Sequence, residues 1–441
     1  MSAGPQRLPD PSSPSDSGLA ARSVALDLVM GVLRRARPLD DERPELATLD
    51  ARDRGFARSI AAATLRRLGQ IDALIASCVE RPIPPRDALA HDVLRIAIAQ
   101  LLFVGVAAHA AVSSAVALVR ERGKPRYAGL VNAVLRRLSA EGTAMAAAQD
   151  APRINVPDWL WRSWSDAYGE PVARAIAAAH LREAPLDLSA KTDPEAWARR
   201  LKAALLPNGT LRCPADGPVT GLAGFAEGGW WVQDAAARLP ALLLGDVRDR
   251  PVVDLCAAPG GKTMQLAAAG ARVTAVDISD NRLKRVRENL DRVGLAAELV
   301  AADASEWRPK APAGLVLLDA PCAATGTIRR HPDLPHLKKP EDVARLTRAQ
   351  DRLLANAAAM LAPGGVMVYA VCSLQPEEGP ARIDALLAAS PALRRQPVGA
   401  DEVAGLAEAI TRKGDLRTLP CHWQDSGGMD GFYVARLVRS R

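Results

Sequence analysis

The stretch Val252 to Thr263 reads V-V-D-L-C-A-A-P-G-G-K-T, and no other stretch constrains the fold as much. A short β-branched run ends in Asp254, and a Pro-Gly-Gly turn then opens into the apolar pattern Met264, Leu266, Ala267, Ala268. That order is a strand, a tight turn and a helix N-terminus, where backbone N–H groups stand free to bind a ligand. A second strand, Val273 to Val276, ends in Asp277. An acidic residue at that tip suits the two hydroxyls of a ribose. The chain is therefore organised around a nucleoside crevice on a parallel sheet.

Two lookalikes are excluded by spacing. The dinucleotide pattern G-x-G-x-x-G is absent, since Ala257, Ala258 and Pro259 fill the place of its glycines. A phosphate-binding P-loop needs Gly six residues before its Lys, and Cys256 stands there. What remains is a turn for a nucleoside without a pyrophosphate, which fits S-adenosylmethionine.

Five segments further along alternate strand with helix. The strands are Val252–Leu255, Val273–Val276, Glu298–Ala301, Leu315–Leu318 and Val366–Val371. Helices are expected near Lys262–Ala269, Asn281–Val293 and Val343–Leu361. This alternation predicts a doubly wound, Rossmann-like parallel sheet, with ligands beyond the carboxyl ends of its strands. Asp254, Asp277, Asp303, Asp319 and Cys372 occupy those ends. The strand at Leu315 leads into D-A-P-C (Asp319 to Cys322), and the strand at Val366 into V-C-S (Val371 to Ser373).

Two cysteines at strand tips suit one reaction. Carbon 5 of cytosine is too weak a nucleophile to take a methyl group unaided. A thiolate that adds at carbon 6 turns carbon 5 into an enamine-like nucleophile. Asp319 beside the ring can bond the exocyclic amine and N3 and so favour cytosine over uracil. On chemistry alone either Cys322 or Cys372 can be the nucleophile. Cys78, Cys213 and Cys421 read as small buried hydrophobes, and Cys256 as a backbone member of the cofactor turn. No C-x-x-C pair or His cluster suggests a metal or a disulfide framework.

The front of the chain is different in kind. Met1 to Gly18 is Pro- and Ser-rich without periodicity and is expected to be disordered. From Leu19 a helical pattern begins, with Val24, Leu28, Val32 and Leu33 on one face. Further helices are expected at Asp50–Leu68, Ile71–Cys78, Asp87–Val104, Ala108–Arg122 and Gly129–Glu141, so residues 19–141 form an all-α domain. The net charge of +7 arises here, since residues 19–140 carry 19 Lys and Arg against 12 Asp and Glu. Arg120 to Arg137 alone hold six basic residues and one acid, a polyanion-binding face or a solvated helix surface. Residues 142–155 are Ala-rich and read as a linker. A small α/β accessory domain follows at 156–232, with Trp159, Trp161 and Trp164 at helical spacing, strands at Leu186–Leu188 and Gly229–Val232, and a helix over Pro194–Leu206. Residues 233–441 are the catalytic domain.

The segment from His109 (H-A-A-V-S-S-A-V-A-L-V) and the run Gly129 to Leu138 (G-L-V-N-A-V-L-R-R-L) resemble the RNA-binding fold of the NusB family. That likeness implies RNA contact near Asn132, Arg136 and Arg137. D-L-C-A-A-P-G-G-K-T, D-A-P-C, the C-S after Val371 and the C-terminal G-G-M-D-G-F-Y (Gly427 to Tyr433) resemble the Sun-type family of 5-methylcytosine RNA methyltransferases. With the NusB-like front, the nearest members are those acting on small-subunit ribosomal RNA. The resemblance implies Cys372 as nucleophile, Cys322 in release of the methylated base, and S-adenosylmethionine as cofactor. It implies cofactor contacts at Cys256, Ala257, Ala258, Pro259, Gly260, Gly261, Lys262, Asp277, Asp303 and Asp319. One departure stands out: the family has Thr or Ser before the nucleophile, and this chain has Val371. The thiol is kept, so activity is expected to survive. Transfer RNA as substrate and a catalytically silent RNA-binding adaptor are the rival readings. No apolar run is long enough to span a membrane, and no basic-then-apolar signal pattern opens the chain. A cytoplasmic monomer with RNA as partner, and no metal, is expected.

Overall fold

The computed structural model describes residues 16–41, 43–214 and 217–441. The chain divides into two compact units. One runs to Trp161 and takes in His331–Leu337; the other comprises Arg162–Arg330 and Lys338–Arg441.

The first unit is helical, as its periodicity dictates. Its main helices are Asp16–Arg35, Ala51–Arg66, Leu68–Cys78, Ala88–Ala99, Ala108–Glu121 and Ala128–Ala147. Ala25, Leu28, Val29 and Val32 of the first helix pack with Ile60, Leu74, Leu94 and Leu135 in a single core. Asp50 caps the second long helix, its carboxylate accepting from Asp53 N at 2.8 Å. Most of the expected disordered tail lies outside the described residues, but the first helix already begins at Asp16. The expected linker at 142–155 is corrected. The helix from Ala128 continues to Ala147, and a short helix follows at Ala151–Ile154. Alanine-rich sequence forms helix as readily as it forms a tether. Asn155 then docks on the unit, donating to Gln70 Oε1 at 3.0 Å and accepting from Gln70 N at 3.1 Å.

The second unit holds two sheets. The smaller contains β1 (Leu186–Ala190), β2 (Ala204–Leu205), β3 (Thr210–Cys213) and β4 (Trp230–Val232), in the order β2-β3-β1-β4 and antiparallel throughout. The helix expected to reach Leu206 stops at Leu201. Asn208-Gly209 turns the chain there, and pairing Leu205 with Leu211 makes a hairpin. Trp164 is fully buried in this unit, while Trp159 and Trp161, at the end of the first unit, are only half-buried.

The larger sheet contains β5 (Pro251–Leu255), β6 (Arg272–Asp277), β7 (Glu298–Ala301), β8 (Ala313–Asp319), β9 (Leu361–Val371), β10 (Leu393–Arg395), β11 (Leu416–Arg417) and β12 (Tyr433–Arg439). Its order is β10-β12-β9-β8-β5-β6-β7, with β11 beside β12. Strands β5 to β9 are parallel, as expected. Three further strands extend the sheet beyond those expected: β12 runs antiparallel to β9, and β10 and β11 antiparallel to β12. Alternate residues face opposite layers: Leu315, Leu317, Val368 and Ala370 pack on one side, and Val316, Leu318, Met367 and Tyr369 on the other. The chain moves outward from β5 through β6 to β7, then crosses back to β8. That reversal between β5 and β8 opens a crevice at their carboxyl ends.

Candidate active site

The crevice is a cavity of about 370 Å³. Its wall includes Cys256, Ala258, Asp277, Ile278, Asp303, Asp319, Cys322 and Cys372. Three acids and three thiols drawn from the ends of five strands thus converge on one space.

On the β5–β6 side the turn is built from backbone. Cys256 takes a left-handed φ of 61°, which reverses the chain directly after β5. Gly260 has φ 101°, a conformation suited to glycine, and a β-carbon there would meet Val286 Cγ1 at 3.1 Å. The turn is tied from behind. Ala258 N donates to Asp277 Oδ2 at 3.2 Å, Arg282 donates to Ala258 O at 2.6 Å, and Asn289 donates to Pro259 O at 3.1 Å. Ala257, Pro259, Gly260 and Gly261 form this turn and the start of the following helix without lining the cavity. Asp254, read as a strand-tip acid, also lies off the cavity. It accepts from Thr263 Oγ1 at 2.6 Å, and burial pushes its carboxyl up to about 7.

The cavity fits a nucleoside cofactor on its own chemistry. Asp277 and Asp303 present carboxylates whose oxygens each have more than one lone pair to offer. Asp303 is held ionised, first by the backbone bond from Ser305 N at 2.8 Å. Ile278, missed in the sequence, is 69% exposed on the same wall and offers an apolar plate to a flat base.

On the β8–β9 side, register pairs Asp319 with Ala370, so the two following loops lie side by side. Cys322 Sγ and Cys372 Sγ stand 3.5 Å apart. Gly326 N donates to Cys372 O at 3.0 Å, and Leu374 N donates to Thr325 Oγ1 at 2.9 Å. The C-terminal G-G-M-D-G-F-Y motif buttresses the first loop. Gly431 N donates to Gly326 O at 2.8 Å, and a β-carbon on Gly326 would meet Gly431 O at 1.9 Å. Asp430 is fully buried and accepts from both Arg329 and Arg330, while Arg329 also reaches Asp234 at 2.5 Å.

Sequence reasoning missed Glu378, which is fully buried in helix-free chain just past Cys372. Its carboxylate accepts from Ala323 N at 2.9 Å and from Ser373 Oγ at 2.5 Å, the residues that directly follow the two cysteines. Gln350 adds a third donor at 3.1 Å. One side chain therefore clamps both thiol loops. The only trace in the sequence was an acid pair, Glu377-Glu378, with no basic neighbour. We expect Glu378→Gln, which puts an amide donor among donors, to lower stability by about 1–3 kcal/mol, checked by thermal unfolding. Losing the negative charge also favours the ionised form of a nearby thiol, so alkylation of Cys322 moves to lower pH. An unmoved alkylation profile would remove Glu378 from the electrostatics of the pair.

Charge divides across the two thiols. The Cys322 thiol is pushed well up, first by its hydrogen bond with Cys372, then by burial, with the Glu378 carboxylate adding to it. Positive charge gathers on the Cys372 side. Burial works against the Lys262 ammonium, but Asp319 at 2.6 Å and then Cys372 hold it above its usual value. Arg330 responds in the same way, to Asp430 first and also to Cys372. Lys262, expected among the cofactor contacts, is thus turned to Asp319, with its Nζ 5.3 Å from the centre of the Phe432 ring. Val371, where a hydroxyl was expected, is fully buried among Val316, Leu318 and Tyr369, so a hydroxyl there would face the apolar layer.

In the helical unit the basic run is largely neutralised internally. Arg122 pairs with Asp27, Lys124 and Arg126 with buried Asp87, and Arg137 with Glu141. Lys124 first, then Tyr127 and Arg126, hold the Asp87 carboxyl far below the usual range. Arg120 and Arg136 remain as exposed cations of that run, with Asn132 half-buried beside Arg136.

Comparison with known proteins agrees with both halves. Residues 241–438 match the family described as 16S rRNA methyltransferase RsmB/F, and residues 19–140 match the NusB family. The chain is 37% identical to ribosomal RNA small subunit methyltransferase B of Pseudomonas putida, over 95% of this chain and 97% of that one. It is 36% identical to the protein of the same name from Xanthomonas campestris, over 96% and 98%. Among solved structures, one described as the crystal structure of PH0851 shares the fold, with a TM-score of 0.75 and 22% identity over 98% of this chain and all of that one.

Proposed function

The chain belongs to the ribosomal RNA small subunit methyltransferase B family and is an S-adenosylmethionine-dependent RNA methyltransferase, and we propose that it methylates carbon 5 of a cytosine in 16S ribosomal RNA through a covalent Cys372–C6 adduct. One observation carries this reading: two thiols 3.5 Å apart at the tips of β8 and β9, with cations bearing on one and a carboxylate on the other. S-adenosylmethionine, when bound, supplies the methyl group. Cys256, Ala258, Asp277, Ile278 and Asp303 would hold it, beside the turn made by Ala257 and Pro259 to Lys262.

The remaining chemistry is the chain's own. The target cytosine is flipped out of its stack so that both faces of carbon 6 are reachable. Asp319, fixed by Lys262, accepts from the exocyclic amine, a contact that uracil's carbonyl cannot make. Cys372 adds to carbon 6, and the electron pair of the C5–C6 double bond moves to carbon 5 for methyl transfer. Adduct formation ties up the Cys372 sulfur and so removes the hydrogen bond that most raised the neighbouring thiol. Cys322 can then lose its proton to solvent and, as the thiolate, take the carbon-5 proton. The double bond re-forms as the C6–S bond breaks, and the new Cys322 S–H is placed to donate to the departing Cys372 sulfur. The family's missing hydroxyl at Val371 is no obstacle, because Lys262 and Arg330 supply the positive charge.

RNA is the partner, and the cytoplasm the compartment this substrate implies. No helix among the described residues is long and apolar enough to cross a membrane. The test is transfer of labelled methyl from S-adenosylmethionine to unmodified 16S ribosomal RNA, followed by mapping of the modified nucleotide. We expect label at 5-methylcytosine. Label in transfer RNA alone would keep the chemistry and discard the ribosomal substrate. RNA binding with no label in any RNA would point to an adaptor.

A further inference from the structure

A second cavity, of about 230 Å³, lies in the same unit and carries an unbalanced charge. Its wall includes Lys191, Trp231, Arg238, Leu242, Gln265 and Leu266. Gly245 and Val247, which precede β5, and Ala268 and Ala269, which precede β6, also line it. It therefore opens at the amino ends of those strands, away from the crevice at their carboxyl ends.

Arg238, half-buried on this wall, differs from three buried arginines of the unit that each meet a carboxylate. Arg212 pairs with Asp187, Arg329 with Asp234 and Asp430, and Arg436 with Glu402. Arg238 has no carboxylate partner among the described residues. Among the described residues its one side-chain bond goes from Nη1 to Ser189 Oγ at 3.0 Å, a hydroxyl already donating to Gln233 Oε1 at 2.7 Å. Its Nε is buried without an acceptor. Burial accordingly pulls the guanidinium below its usual value. Lys191, the other cation on the wall, donates to Val293 O at 2.7 Å and likewise meets no carboxylate. A guanidinium with a buried, unpartnered Nε and no counter-charge is costly, and a second cation without a carboxylate on the same cavity wall suits an anion between them.

We propose that this cavity binds a phosphate oxyanion between Arg238 and Lys191. The guanidinium fork suits phosphate geometry, and the ammonium adds a point charge. The phosphate can be a backbone phosphodiester of the bound RNA, which rests on the reading above, or free phosphate.

The test uses the full chain and its Arg238→Met variant. Thermal unfolding is compared in sodium phosphate and in sodium chloride of equal ionic strength. Phosphate is expected to raise the wild-type midpoint by about 2–4 °C and to leave Arg238→Met unmoved. In chloride the variant is expected to melt no lower than wild type, since methionine removes an uncompensated charge. Lys191→Met provides the same comparison if Arg238→Met does not fold. RNA affinity is then measured against salt. A weaker affinity, with the log–log salt slope reduced by about 1 in Arg238→Met, assigns the site to an RNA phosphodiester. A phosphate response with an unchanged RNA slope assigns it to free phosphate. No phosphate response in wild type, together with an unchanged RNA slope, overturns the proposal. Methyl transfer at saturating RNA stays normal in Arg238→Met, which separates this outcome from any failure of the catalytic reading.

Discussion

Cys372→Ala is expected to abolish methyl transfer while leaving cofactor binding intact. Without a sulfur at carbon 6, carbon 5 never gains enamine character, and the remaining binding groups only hold reactants together. The loss should be on the order of 10⁴-fold or more, the scale seen when a covalent nucleophile is removed. Cofactor affinity should persist because the turn from Cys256 to Gly260 is anchored on β5 and β6 by Asp277, Arg282 and Asn289. None of those bonds involves the loop after β9. Single-turnover label transfer, alongside equilibrium binding of S-adenosylmethionine, checks both halves. Near-normal turnover would move the nucleophile to Cys322 and reverse the charge argument.

Cys322→Ala should fail at the opposite end of the reaction. The nucleophile is intact, so the adduct forms and methyl transfer proceeds once. The carbon-5 proton then has no base, and the C6–S bond persists. We expect a protein–RNA species that survives denaturing electrophoresis, with turnover reduced roughly 10²–10⁴-fold, the usual contribution of one proton-transfer group. Adding Cys372→Ala to this variant should eliminate the adduct. Turnover at the wild-type rate with no trapped species would mean that another group takes the proton. The 3.5 Å separation of the thiols makes this outcome a sharp one, because among the site residues named here only Cys322 is in hydrogen-bond reach of the Cys372 sulfur.

Local sequence was sufficient for a great deal of this. The run Val252 to Thr263 specifies a strand, a turn with glycine at φ 101° and a helix start through the conformational preferences of its own residues. Strands Val273 to Val276 and Glu298 to Ala301, and the helices around them, follow from periodicity within ten or fifteen residues. The D-A-P-C and C-S motifs pointed to two thiols at strand ends before any coordinates. Where prediction failed, the deciding partner was distant or the composition ambiguous. The Ala-rich 142–155 segment suited helix and linker equally, and docking of Asn155 on Gln70 settled it. Strand β12 depends on β9, more than sixty residues earlier. The basic run from Arg120 read equally as a polyanion-binding face or a solvated helix surface, because Asp27 and Asp87, which pair with Arg122, Lys124 and Arg126, lie far back in the chain.

Tertiary structure alone decided the electrostatics of the site. That Glu378 holds the residues after both cysteines, that Lys262 turns to Asp319, and that Arg238 is left without an anion are facts about side chains brought together from separate elements. Backbone preferences act over a few residues, so they can be read along the chain. Charge and burial act through space, and the distances that govern them exist only once the sheet has closed.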